Sequence, residues 1–148
     1  MSAMYHHLLI AADGSQASEK ALTHGIALAK ALSIGVTIAT VTEAWTAAAY
    51  ATLPTPSLIR AYEKAAAENA AGILARAREA ADGAGVACET RHIKDRHVPE
   101  GIIEAAELGQ CDLIIVGSKG HGAMGRILLG STALKVLTLS PVPVLVCR

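Results

Sequence analysis

The chain has few aromatic residues and no phenylalanine, so its core cannot be built around aromatic rings. Aromatics make up 3% of its 148 residues, whereas hydrophobic residues as a whole make up 52%. That content is high enough for folding, and the length suffices for one domain, which we expect to span residues 1–148. The core must come from Ala, Leu, Ile and Val, which favours helices packed closely on a Val/Ile-rich sheet.

Net charge and long apolar runs are also absent. The chain carries 13 basic and 13 acidic residues, which gives no support for general attraction to nucleic acid or to a membrane. No run reaches the roughly 18 apolar residues of a membrane span, and the N-terminus does not resemble a signal peptide. No acidic residue follows Asp112, whereas Lys119, Arg126, Lys135 and Arg148 do. This positive quarter suits an anionic ligand, with a merely solvated face as the alternative.

Paired cysteines and metal-binding clusters are missing as well. Cys88, Cys111 and Cys147 are far apart and form no C-x-x-C motif, which is typical of reduced core thiols in a cytoplasmic protein. His6 and His7 are neighbours on a predicted strand and would point to opposite faces, so they cannot easily hold one ion. We therefore expect a cytoplasmic location and do not assign these histidines as metal ligands.

Short apolar runs alternate along the chain with longer helical patterns. The predicted strands are residues 7–12, 35–41, 86–93, 112–116 and 142–147, and the predicted helices are residues 15–32, 58–81, 99–107 and 132–139. This order predicts a single α/β domain, an open five-stranded parallel sheet with helices on both faces. Ligands of such sheets lie beyond the carboxyl ends of the strands. The candidate positions are Asp13, Val41 and the loop after Val116.

The segment GHGAMG, residues 120–125, matches the pattern G-x-G-x-x-G of dinucleotide-binding folds. The match fails as a dinucleotide site, because it begins four residues past Val116 and no acidic residue follows it to bind a ribose. It also fails as a Walker A loop, because Arg126 and Ile127 replace the required lysine and hydroxyl residue.

A wider glycine frame fits better. Gly117 and Gly120, then nine residues, then Gly130 and Ser131 match G-x-x-G-x9-G-[ST]. The first two glycines would let backbone amides approach a sugar or phosphate. Gly130 and Ser131 would open a helix whose free N–H groups attract an anion. The alternative is a glycine-rich turn, capped by Ser131, before an ordinary helix, and the spacing alone does not separate the two.

Three segments carry a resemblance to a known family: HLLIAADGSQASEKAL, DLIIVGSKGHGAMGRILLGSTALKVL and PVPVLVCR. With them the chain resembles the universal stress protein family, in particular its ATP-binding branch, over essentially its whole length. The resemblance implies the Rossmann-like, adenine nucleotide alpha hydrolase-like fold, with ATP and Mg²⁺ at the carboxyl edge of the sheet. It also implies a stress-response or signalling module, and a homodimer through the last strand from Val142 to Cys147. An apolar strand on an open sheet edge would otherwise be an aggregation hazard.

The resemblance also implies roles for individual residues. Asp13 would contact the ribose and adenosine, with Ala11 and Ala12 beside it, and Val41 would form the adenine wall. The expected ribose and phosphate contacts are Gly117, Ser118, Lys119, Gly120, His121 and Gly122, and the expected phosphate seat is Gly130, Ser131 and Thr132. From the residues alone, Asp13 as a cap of the turn at Gly14 and His121 as an exposed loop residue remain alternatives.

Catalytic residues cannot be recognised in the sequence. Ser15 and Ser118 lack a visible basic partner, and no residue is identified that would activate water. Glu43 is a candidate Mg²⁺ ligand, with an exposed loop acid as the alternative. We therefore expect nucleotide binding without a catalytic role. A slow ATPase and a nucleotide-free, dimeric, chaperone-like interaction protein are the other candidates.

Overall fold

The computed structural model describes residues 4–45, 53–119 and 129–148. Strands and helices alternate along these ranges. The strands are β1 (His7–Ala11), β2 (Gly35–Thr42), β3 (Cys88–Lys94), β4 (Leu113–Gly117) and β5 (Val144–Cys147), and the helices are α1 (Gln16–Leu32), α2 (Pro56–Gly83), α3 (Val98–Leu108) and α4 (Ser131–Leu139). All strand pairs are parallel. The predicted α/β class and the five-stranded parallel sheet are confirmed.

The order of the strands in the sheet is β3-β2-β1-β4-β5. From β1 the chain builds outward to β3 on one side, and it then crosses to place β4 and β5 on the other side. The order therefore reverses between β1 and β4, which pair through Leu8 with Leu113 and Ile10 with Ile115. In open α/β sheets, a crevice forms at the carboxyl ends of the two strands that flank such a reversal.

Both faces of the sheet are covered by helices, as predicted. In β1, Leu8 and Ile10 pack with residues of α1 and α2, whereas Leu9 packs with residues of α3 and α4. All three side chains are fully buried. A strand buried on both faces needs apolar residues at successive positions, which explains the continuous apolar runs of β1 and β4.

The starts of the helices follow their capping residues. The Ser15 hydroxyl accepts a hydrogen bond of 3.2 Å from the backbone N–H of Ser18, so α1 begins where it was predicted. Helix α2 begins at Pro56, two residues earlier than predicted. The reason is local, because Thr55 accepts a 3.1 Å hydrogen bond from the N–H of Leu58, and proline suits the first helical position.

Strands β3 and β5 each begin two residues later than predicted. Before β3, the N–H of Val86 donates to the carbonyl of Ala81 at 2.9 Å, so this apolar residue closes the end of α2. Before β5, Pro143 has no N–H to donate, although its carbonyl accepts the N–H of Ile114 at 3.0 Å. Apolar character alone does not distinguish these residues from strand residues.

The two adjacent histidines at the start of β1 have different partners. The Asp112 carboxylate accepts backbone N–H groups of His6 at 2.9 Å and of His7 at 3.2 Å, and it lies 3.0 Å from the His6 ring. Partial burial acts to raise the pKa of Asp112, but the hydrogen bonds from His6 and His7 outweigh it and hold the pKa below 3.8. The His7 ring lies 2.8 Å from the Thr37 hydroxyl instead. These contacts connect the start of β1 to Thr37 in β2 and to Asp112, directly before β4.

The three cysteines are free thiols, and Cys111 and Cys147 are buried. Burial raises the pKa of Cys111 to about 11, against the opposing effect of a hydrogen bond with Thr37. Within the described ranges, no helix is both long enough and apolar enough to cross a membrane.

Candidate functional site

A cavity of about 530 Å³ opens at the carboxyl edge of the sheet, where the strand order reverses. We call it the main cavity. Its volume lies within the range of about 300–1000 Å³ that is usual for small-molecule sites. The predicted site residues that line it are Ala11, Ala12, Asp13, Val41, Gly117, Ser118, Lys119, Gly130, Ser131 and Thr132. The remaining candidates, Gly120, His121 and Gly122, lie outside the described residues.

Asp13 is held in a tight turn directly after β1. Its carboxylate oxygen Oδ1 accepts the N–H of Ser15 at 2.9 Å, and its own N–H donates to the Ser18 hydroxyl at 2.9 Å. The predicted turn-capping role of Asp13 is therefore present. The residue also lines the main cavity. The two roles are compatible, because a carboxylate can accept several hydrogen bonds.

Gly117 allows the end of β4 to approach α1 closely. A Cβ atom at this position would lie 2.6 Å from the backbone C and O atoms of Ala17. The next residue, Ser118, is tied on both sides: its N–H donates to the Cys147 carbonyl at 2.7 Å, and its carbonyl accepts the N–H of Gly130 at 2.5 Å. Gly117 thus has a packing role that needs no ligand, in addition to its place at the cavity.

The first turn of α4 reaches the main cavity without a side-chain cap. Ser131 is the first helical residue and Gly130 is the N-cap, so the prediction that this pair opens a helix is confirmed. Ser131 is not the cap, which removes the alternative of a serine-capped turn. Within the part of the chain that the structure describes, no side chain bonds to the N-terminal N–H groups of α4. These groups and the helix dipole attract an anion.

Residues of β2, α2 and α3 give the main cavity an apolar portion, next to the polar residues Thr40, Thr42 and Asn69. Its lining there, which we call the apolar end, consists of Ala39, Val41, Ala70, Ile73, Val98 and Ile102. The position of Val41 depends on α3, because a Cβ atom on Gly101 would lie 2.6 Å from the Val41 Cγ1 atom. The main cavity thus combines apolar lining residues with an anion-attracting helix terminus.

A family model for the universal stress protein family matches residues 4–148. The chain belongs to this family. Among curated relatives, universal stress protein YxiE of Bacillus subtilis is 34% identical over 152 residues, which cover 98% of this chain and 100% of that protein. Universal stress protein MJ0531 of Methanocaldococcus jannaschii is 30% identical, over 98% of this chain and 83% of that protein.

Solved structures of universal stress proteins share the fold. The universal stress protein UspA from Lactobacillus plantarum superposes with a TM-score of 0.82 at 23% identity, over 99% of this chain and 100% of that one. A universal stress protein in complex with cAMP has a TM-score of 0.67 at 27% identity, over 99% and 98%. The protein from Archaeoglobus fulgidus in complex with dAMP has a TM-score of 0.69 at 18% identity, over 98% and 99%. The adenine nucleotide alpha hydrolase-like fold is confirmed.

Several lining residues of this universal stress protein were missed by the sequence analysis. They are Ser18, Ala39, Thr40, Thr42, Asn69, Ala70, Ile73, Val98, Ile102, Val116 and Ala133. Some of them are adjacent in sequence to predicted residues, so including the positions next to Val41 and Thr132 would have identified them. The residues of α2 and α3 carry a weaker signal. Asn69 is a polar residue in an alanine-rich segment, but helical periodicity does not say which turn reaches the sheet edge.

A smaller cavity of about 410 Å³, the side cavity, adjoins the main one. It is lined by Val41, Thr42, Glu43, Tyr62, Ala65, Ala66 and Asn69. The Tyr62 hydroxyl donates to the Glu43 carbonyl at 2.6 Å, which ties α2 to the segment after β2. Glu43, the candidate Mg²⁺ ligand, therefore lines the side cavity and not the main one. Among the described residues, no group of three or more His, Cys, Asp or Glu side chains is arranged to hold a metal.

Proposed function

We propose that this universal stress protein binds an adenine nucleotide in the main cavity, with ATP and Mg²⁺ as the preferred ligand. It would act in the cytoplasm as a nucleotide-responsive module in stress response or signalling. The observation that carries the proposal is the pairing of apolar lining residues with an uncapped helix terminus in one cavity. The likeness to a universal stress protein in complex with cAMP supports it.

The chemistry of the lining suggests the orientation of the nucleotide. The adenine ring would lie in the apolar end beside Val41 and Ile102. The Asp13 carboxylate can accept hydrogen bonds from ribose hydroxyls. The phosphates would meet the N–H groups and hydroxyls of Ser131 and Thr132, where the helix dipole favours negative charge.

Magnesium fits this cavity only together with the phosphates of a nucleotide. Mg²⁺ is usually held by one or two carboxylates, substrate phosphates and water. Asp13 supplies a carboxylate to the main cavity, and Glu43 lines the side cavity. When bound, the ion would neutralise part of the phosphate charge.

Phosphate binding can be tested at the first turn of α4. Ser131→Ala removes a hydroxyl donor to a charged group and should weaken ATP binding by about tenfold to a hundredfold, or about 1.5–3 kcal/mol. Gly130→Val should abolish detectable binding, because its side chain would occupy the phosphate seat. Thr138→Ala is the matched control, since its hydroxyl binds the Leu134 carbonyl at the far end of the same helix.

The measurements are isothermal titration calorimetry with Mg·ATP, and mass spectrometry of nucleotide released from freshly purified, denatured protein. Wild-type protein that releases no adenine nucleotide and shows no heat of binding would overturn the proposal. Equal affinity of Ser131→Ala and Thr138→Ala would place the phosphates elsewhere. Hydrolysis is the enzymatic alternative, and multiple turnover that disappears in Asp13→Ala would favour it.

The sheet edge supports a second element of the proposal, a homodimer through the segment from Val142 to Cys147. Strand β5 pairs with β4 alone and so lies at the edge of the sheet, where unpaired backbone groups favour association with another strand. Helix α4 contacts β5 and leaves Leu134 and Leu137 exposed beside it. Light scattering at micromolar concentrations should give the mass of a dimer, and a monomer throughout would refute this element.

A further inference from the structure

Asn69 lies within α2 on the boundary between the two cavities and lines both of them. Four of the six residues around it at positions 66–72 are alanine, and the other two are Glu68 and Gly72. Asparagine in a helix interior is less favourable than alanine by roughly half a kcal/mol. No hydrogen bond between the Asn69 amide and another described residue offsets this preference. The position thus has a helix-destabilising residue that lines both cavities.

Two polar groups of Thr42, which also lines the main cavity, already have partners. The Thr42 hydroxyl lies 2.7 Å from the His92 ring, and burial together with the charge of Lys94 lowers the pKa of His92 and favours the neutral ring. The Thr42 carbonyl accepts the N–H of Asp95 at 2.9 Å. The side chain of Asn69, by contrast, offers a donor and an acceptor side by side on one planar group.

We propose that Asn69 reads the hydrogen-bonding edge of the base and gives the site its preference for adenine. The inference rests on the proposed nucleotide function. Adenine presents its 6-amino group, a donor, next to a ring nitrogen that accepts. An asparagine amide complements this pair in a bidentate fashion, with its carbonyl accepting from the amine and its NH₂ donating to the ring nitrogen. Contacts between the phosphates and Ser131 do not distinguish one base from another.

The test compares ATP with purine riboside triphosphate, which lacks the 6-amino group but has the same ribose and phosphates. Wild-type protein should bind ATP about tenfold more tightly, because purine leaves the Asn69 carbonyl without its partner. In Asn69→Ala and in Asn69→Leu, which keeps the size of the side chain, the ratio of the two affinities should fall to near one. Both dissociation constants are measured by calorimetry.

Ser131→Ala is the matched control, because it should weaken both ligands by the same factor and preserve their ratio. An unchanged ratio in Asn69→Ala would overturn the role of Asn69 while leaving nucleotide binding intact, and so would a ratio preserved in Asn69→Leu. Wild-type protein that binds neither ligand would overturn the proposed function itself. The side chain is exposed on a helix, so circular dichroism and urea unfolding should show both variants folded.

Discussion

Replacing Gly117 with alanine separates the packing role of this glycine from a role in ligand binding. The added Cβ atom would lie 2.6 Å from the backbone C and O atoms of Ala17 and 2.8 Å from its Cβ atom. Ordinary contacts between carbon atoms are about 3.5–4.0 Å, so β4 and the first turn of α1 would have to move apart. The φ angle of Gly117 is not in the left-handed region, so this collision is the reason for glycine.

The size of the effect follows from the kind of neighbour. Overpacking of a core usually costs about 1–3 kcal/mol. Because the colliding atoms belong to a backbone that cannot change rotamer, we expect the upper end, about 3 kcal/mol. For a domain of this size, that corresponds to a fall in Tm of about 6–12 °C.

The assay is urea unfolding of nucleotide-free protein, followed by circular dichroism. Gly72→Ala is the matched control: it lies inside α2, and its new Cβ atom would be 3.7 Å from the Arg76 side chain, an ordinary contact. That variant should gain about 0.5–1 kcal/mol. If Gly117→Ala unfolds at the wild-type urea concentration yet loses ATP affinity, the packing argument is refuted and the glycine serves the ligand.

Three further predictions concern the wall of the cavity and the opposite end of the sheet. Gly101→Ala would bring a methyl group within 2.6 Å of the Val41 side chain, so we expect weaker ATP binding and a loss of about 1 kcal/mol in stability. Calorimetry showing unchanged affinity would exclude Val41 from the base wall. Asp112→Asn should destabilise the protein by roughly 1 kcal/mol at neutral pH. Because folding lowers the pKa of Asp112 from its usual value, its contribution is complete above the pKa of the unfolded state and is lost as the pH falls through the folded pKa. Urea unfolding should therefore show that the difference in stability between wild-type protein and Asp112→Asn becomes smaller in acid. A difference that does not depend on pH would contradict this reasoning. With a pKa of about 11, Cys111 should react with iodoacetamide near pH 8 about a hundredfold more slowly than an ordinary thiol. Rapid labelling in native protein, read by mass spectrometry, would disprove its burial.

Local sequence patterns were sufficient for much of the fold. The apolar run Leu8 to Ile10 and the turn residues Asp13 and Gly14 define the first strand and its end, since both signals lie within a few residues. Ser15 marked the start of α1 for the same reason. The helix after Gly130 was also predicted from a local pair of residues.

The remaining features depend on contacts between distant parts of the chain. The collision that requires glycine at position 117 involves Ala17, about a hundred residues away, on another element. Which turn of α2 reaches the main cavity depends on how the helix crosses β2 and β3, so Asn69 could not be chosen from periodicity. The wall formed by Val41 depends on Gly101 in the same way. The resemblance to a family supplied the predictions for site residues that local patterns left open.

The peptide units on either side of Ser118 join two regions that have different partners. The N–H of Ser118 holds the end of β5, and its carbonyl holds the start of α4. A ligand that shifted the start of α4 would therefore also strain the strand at the open edge of the sheet. Linkage makes any such effect reciprocal, so strand association at that edge would change nucleotide affinity by the same factor. Ser118 thus connects the backbone at the start of α4 directly to the backbone at the edge of the sheet.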